Sequence, residues 1–153
     1  MNYEVHMNCG RAYRSLRLRA RKAAETTLSA TETPSGELTV VLTGEEEVRS
    51  LNHRFSGLDK ATDVLSFPSG VHDPQTDRTY YGDVVIAVPV AARQARRAGQ
   101  SLVAEIQLLV IHGVLHLLGF DHGSSADRKR MWDLQRGILA GLEKTRVRPE
   151  EKR

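Results

Sequence analysis

Apolar and polar positions along this chain follow two periods. Ala12, Leu16, Ala20, Ala23, Ala24 and Leu28 recur every three or four residues, which predicts one face of a helix from about 11 to 30, broken by Thr33-Pro34-Ser35-Gly36. Glu37 to Thr43 instead alternates and is β-branched, the pattern of a half-buried strand, and Glu45-Glu46-Glu47 suits the first turn of a helix running to about Phe55. Val64 to Phe67, stopped by Pro68, and Asp83 to Val88 read as buried strands separated by a long polar loop, Ser69 to Tyr81. From Pro89 a helix is expected to Ala98, ended by Gly99. Ser101 caps the next, Leu102 to Leu118, which Gly119 stops. Met131, Leu134, Ile138 and Leu142 mark the apolar face of a last helix, Ala126 to Leu142, with a charged, frayed tail beyond Lys144.

No repeat, low-complexity tract or linker divides the chain, so residues 1–153 are read as one domain with one core. The lone Cys9 cannot form an internal disulfide and no signal-like start is visible, so a reducing cytoplasm is the expected compartment. The apolar stretch from Ile106 to Phe120 is interrupted by Gln107, His112 and His116 and falls short of a membrane span, so no membrane partner is expected. Net charge is only +3, but Arg11, Arg14, Arg17, Arg19, Arg21 and Lys22 form a stripe before Glu25. Such a stripe suits phosphates and equally suits a solvated helix face. Aromatic residues make up 5%, which offers no stacking platform of the sort that single-strand binders use.

Chemistry concentrates in His112-Gly113-Val114-Leu115-His116-Leu117-Leu118-Gly119-Phe120-Asp121-His122. Helical residues i and i+4 have Cβ atoms about 5–6 Å apart, so His112 and His116 can reach one ion. Gly119 lets the chain turn so that His122 returns as a third imidazole. A lone buried histidine is commonly a hydrogen-bonded core residue; three at this spacing around a helix-ending glycine point to metal. Zn²⁺ fits best, one per chain, although three imidazoles would also take Ni²⁺, Co²⁺ or Cu²⁺. Three protein ligands leave the fourth position to water, which is the open site of a hydrolase. The spacing HxxxHxxGxxH is that of metzincin proteases, whose general-base glutamate follows the first histidine. Here that residue is Gly113, which argues against peptidase chemistry.

Together with Ala61 to Pro68 (ATDVLSFP) and Gly82 to Ala87 (GDVVIA), this motif closely resembles the YbeY family of bacterial metal-dependent endoribonucleases, over roughly Glu37 to Leu142. The resemblance implies an α/β (α+β), zincin-like fold, a small mixed sheet of about four strands packed by about five helices. It implies one zinc on His112, His116 and His122, which are then both metal ligands and catalytic residues, and cleavage of single-stranded RNA. The implied partners are ribosomal RNA and the small ribosomal subunit, in maturation of the 3′ end of its RNA and in ribosome quality control; DNA is not expected. Asp63 and Ser66 fall on a strand near the site in such proteins, although both also fit an ordinary strand start. Asp121 is expected to orient an imidazole. The family's LNxxYR or LNxxFR segment carries an arginine where this chain has Ser56, in Leu51-Asn52-His53-Arg54-Phe55-Ser56; either a nearby cation such as Arg54 or Lys60 substitutes, or activity is weaker or differently directed. The competing readings are a zinc-containing ribosome-assembly binding protein with little nuclease activity, and a metalloprotease.

Overall fold

The computed structural model describes residues 1–121 and 123–151, with side chains through Glu143. Strand β2 (Gly36–Thr43) alternates as its sequence requires. Leu38, Val40 and Leu42 are essentially unexposed, while their neighbours reach the opposite face. It sits between β1 (Tyr3–Cys9) and β4 (Arg78–Ala87), parallel to both, and β3 (Val64–Asp73) pairs antiparallel with β4 at the sheet edge. The order β1-β2-β4-β3 makes the sheet mixed and four-stranded, as expected.

Among the described residues five helices surround it: α1 (Arg17–Ala30), α2 (Glu45–Ser56), α3 (Val88–Ala98), α4 (Leu102–Leu117) and α5 (Ser125–Glu151), the last lying on α4 and α1. Helix α4 is the centre of the molecule, buried almost all round through Ile106, Val110, Ile111, Val114 and Leu115. Ala20, Ala23 and Ala24 let α1 lie close against it in the main core, where each buried Leu or Ile side chain contributes roughly 1.5–3 kcal/mol. On the sheet's other face α2 closes a smaller cluster of Val48, Val85 and Ala87. No single helix among the described residues is long and apolar enough to cross a membrane.

Four expectations are corrected. β1 is an additional strand; Tyr3, Val5, Met7 and Cys9 face the core and alternate with exposed Glu4, His6 and Asn8, a short period-2 pattern in which only Val5 is fully buried. The helix expected from 11 begins as a 3₁₀ turn, Arg11–Leu16, and becomes α-helical at Arg17. The expected loop from Ser69 to Tyr81 is mostly a β-hairpin, with Val71, His72 and Asp73 paired to Tyr80, Thr79 and Arg78. Its β3 arm is exposed and its β4 arm only half-buried, so pairing there rests mainly on backbone bonds and polar cross-strand contacts. His72 meets Thr79 at 3.0 Å and Asp77 at 3.1 Å, and Asp77 takes a left-handed conformation in the turn. Finally, α5 continues to Glu151, through the tail expected to fray.

Candidate metal centre

Helix α4 is fixed at both ends by the residues its sequence offers. The Ser101 hydroxyl accepts from the Ala104 N–H at its start. At its end Gly119 adopts φ +96°, its N–H donates to the His116 carbonyl, and the Phe120 N–H donates to the Leu115 carbonyl, a Schellman closure. Between these ends His112 and His116 stand on one face, ring centroids 4.5 Å apart and planes at 77°. Their Nε2 atoms face each other at 3.0 Å, and both rings are half-buried, reachable from solvent. Two imidazole nitrogens at that distance are joined by one proton or one cation. Ligands at about 2.0–2.1 Å from a tetrahedral ion lie about 3.3 Å apart, so the pair needs only a small spreading to take zinc.

The other nitrogen of His112, Nδ1, donates to Oε1 of Gln135 at 2.5 Å, and Gln135 is only 6% exposed. A proton held on Nδ1 leaves the Nε2 lone pair to point at His116, which is how an outer hydrogen-bond partner selects a ligand's tautomer. Gln135 was missed in the sequence. Its signal was a polar residue on the apolar face of α5 between Met131 and Ile138, both buried. His122 lies outside the described residues. Asp121 accepts from the Gly123 N–H at 2.9 Å, so its carboxylate closes its own loop.

Gly113 has a second reason to be glycine. A Cβ there would stand 2.5 Å from Cγ1 of Val84 and 3.3 Å from Oγ of Ser66. The helix crosses β4 at this residue, and the Ser66 hydroxyl donates to the Gly113 carbonyl at 3.0 Å, tying the edge strand to α4 between the two histidines. Asp63 separates from Ser66. With the Gln94 amide turned so that its nitrogen faces the two carboxylates, it donates to Oδ2 of Asp63 at 3.2 Å and to Oε2 of Glu105 at 2.9 Å. Glu105 is 7% exposed, and burial pushes its carboxyl up; a bond from Gln100 opposes this and the charge of Asp63 adds to it. Asp63 therefore belongs to a carboxylate cluster near the start of α4, two turns before His112.

Ser56 ends α2, and its hydroxyl folds back to the Asn52 carbonyl at 2.6 Å. Asn52 in turn donates to the Lys60 carbonyl at 3.0 Å, so this segment is held by its own polar groups. The guanidinium of Arg54 lies 5.7 Å from the centroid of exposed Phe55. A second group of metal-ligating types, Glu4, His6 and Glu37, brings its ligand atoms within 4.8 Å on β1 and β2. There the Nε2 of His6 pairs with Oε1 of Glu37 at 2.7 Å, and this hydrogen bond holds the Glu37 carboxyl below its ordinary value.

Comparison with known proteins gives one answer. The family model described as Endoribonuclease YbeY matches residues 6–143. A protein of that name from Pseudomonas entomophila is 47% identical over 110 residues, covering 72% of this chain and 70% of the relative. One from Pseudomonas putida is 44% identical over 132 residues, covering 86% and 77%, and one from Aquifex aeolicus is 42% identical over 124 residues, covering 80% and 81%. The solution structure of a Thermotoga maritima protein superposes with a TM-score of 0.68 at 27% identity, covering 96% of this chain and 95% of that one. A match of this extent, over the strands and helices that carry the histidine pair, shows that the chain belongs to the YbeY endoribonuclease family.

Proposed function

We propose that this protein is a zinc-dependent endoribonuclease that cleaves single-stranded RNA, with His112, His116 and His122 holding one ion. Its place of action is the cytoplasm and its task the 3′-end maturation of small-subunit ribosomal RNA. The observation that carries the reading is the convergence of the His112 and His116 Nε2 atoms at 3.0 Å on a solvent-reachable face. Family membership gives RNA as the substrate class. When bound, such an ion supplies Lewis acidity towards a phosphoryl oxygen and water ionised near neutral pH.

The chain's own groups prepare that chemistry. Gln135 fixes the tautomer and orientation of His112. Ser66 and Gly113 set the depth at which α4 lies on the sheet and hold the histidine-bearing turns against the edge strand. A peptidase reading is opposed sterically as well as chemically. A glutamate at 113 would have to pass through Val84, so the position cannot present a carboxylate to the site without moving the helix. The test incubates zinc-loaded protein with labelled single-stranded RNA, with duplex RNA and with casein, with and without chelator at fixed salt, since phosphate contacts are salt-sensitive. Chelator-sensitive cleavage of the single strand, with casein intact, is expected. Zinc-loaded protein that leaves the single strand whole would overturn the activity.

A further inference from the structure

We infer that Trp132 is a stacking platform for an unpaired base of the RNA substrate, beside the metal centre; this rests on the nuclease reading above. Trp132 is the chain's sole tryptophan, and it stands 56% exposed on α5 although its neighbour Met131 is 1% exposed. An open depression of about 370 Å³ runs along this helix, lined by Arg128, Lys129, Met131, Trp132 and Gln135. Gln135 is the residue bonded to His112 at 2.5 Å, so the depression ends at the group that orients a proposed ligand. Side chains three apart on a helix are neighbours, about 5–6 Å between Cβ atoms, which puts the indole one residue's reach from that bond.

Chemistry selects the occupant. Arg128 and Lys129 lie one turn before Trp132, and Lys129 is 77% exposed even while paired with Asp133 at 2.8 Å. An indole face flanked by cations and open to solvent fits a base with its phosphates, a contact that any base satisfies because each has a π-face. A duplex keeps its bases stacked on one another and offers none to the indole, so this ring discriminates single strands from paired RNA. The low aromatic content argues against a platform of several rings; one ring placed next to the chemistry needs no others.

Because the chain has one tryptophan, its emission reports this site alone. Zinc-loaded full-length protein is titrated with a single-stranded 2′-O-methyl oligoribonucleotide, its duplex, and an oligomer abasic at every position. Saturable quenching by the single strand, little by the other two, is expected. Trp132→Ala should raise KM for single-stranded RNA about tenfold with kcat within about twofold, and Trp132→Phe should restore most of the affinity. Since the side chain is exposed, Trp132→Ala should melt with wild type, separating binding from folding. No quenching by the single strand, or an unchanged KM in Trp132→Ala, overturns the inference. Emission that changes with protein concentration and not with RNA also overturns it, assigning the surface to a second copy of the chain. Quenching by the single strand in a wild type that cuts nothing would keep the stacking site while the nuclease reading fell.

Discussion

Among the described residues, two places gather metal-ligating side chains, and their electrostatics differ. On the outer strands, acid meets base. His6 pairs with Glu37 at 2.7 Å, Arg78 approaches the other Glu37 oxygen at 3.9 Å, and Glu4 lies beside Glu37 in register. On α4, base meets base, with two imidazole nitrogens 3.0 Å apart and a buried amide behind one of them. The first cluster neutralises itself, and an ion entering it must displace a formed pair in high-dielectric surroundings. The second has like nitrogens with a lone pair directed between them, an arrangement that a cation completes. The inventory of ligand types therefore decides less than how those ligands are paired with one another.

The sharpest break in that comparison is a pair of deletions. His116→Ala should drop zinc from about one equivalent per chain to a small fraction of one and lower RNA cleavage about a hundredfold or more, since two imidazoles rarely hold zinc against buffer. His6→Ala should keep both. Elemental analysis after dialysis, with initial rates at matched protein, reads the outcome. Zinc lost with His6 and kept without His116 would invert the assignment.

Packing under the α4 site supplies the next largest effect. Alanine gains about 1 kcal/mol over glycine inside a helix, but in Gly113→Ala the new methyl meets Cγ1 of Val84 at 2.5 Å, in a residue without exposure and with a stiff χ1. Overpacking of this kind costs about 1–3 kcal/mol, so the net is a loss of up to about 2 kcal/mol, or a fall in Tm of up to roughly 8 °C. Val84→Ala in the same chain should recover part of it. A double-mutant cycle in denaturant with no favourable coupling would show that the glycine is not there for the crossing.

Legibility in the sequence followed the same divide. Helix α4 and its histidines were readable because Ser101 caps its start, a long apolar run fills it and Gly119 stops it. The half-exposed parts were not. β1 alternates over only seven residues with Val5 alone fully buried, a short signal, and the exposed β3 arm of the hairpin has no alternation at all and becomes a strand by pairing with the β4 arm. Gln135 stands 23 positions from His112, and only the packing of α5 on α4 joins them. Gly113 was understood by half, as a missing protease base, because its clash with Val84 exists only once helix and sheet meet. Ser56 was read as an absent guanidinium; the fold shows its hydroxyl occupied within α2.

The Gln135 bond gives a graded test of the nitrogen-to-nitrogen centre. Gln135→Leu removes the acceptor for Nδ1 of His112 while keeping volume, and zinc affinity should weaken about tenfold to a hundredfold, the usual consequence of losing such a partner. Gln135→Glu still accepts and should stay within about threefold of wild type or bind more tightly. A competition titration against a chromophoric chelator measures both. Equal affinities in wild type and Gln135→Leu would mean that the tautomer is set by another group.

The smallest effect belongs to the acid–base cluster, and its pH dependence separates an ion pair from a metal site. The hydrogen bond from His6 holds the Glu37 carboxyl below its ordinary 4.5 in the folded chain. A depressed carboxyl contributes stability that is present above its unfolded value and is lost as pH falls through the folded one. Glu37→Gln should therefore destabilise near pH 6 by no more than about 1 kcal/mol, the scale of a half-exposed pair, and the difference from wild type should vanish on titration below 4.5. Urea unfolding at several pH values reads this directly. Repeating it with zinc in excess distinguishes the two clusters, because a ligand bound by the native state alone adds stability that grows with its concentration. Zinc should stabilise wild type and Glu37→Gln by the same increment, since that increment comes from α4. An increment at pH 7 that shrank in Glu37→Gln would place an ion on the outer strands and end the contrast drawn between them.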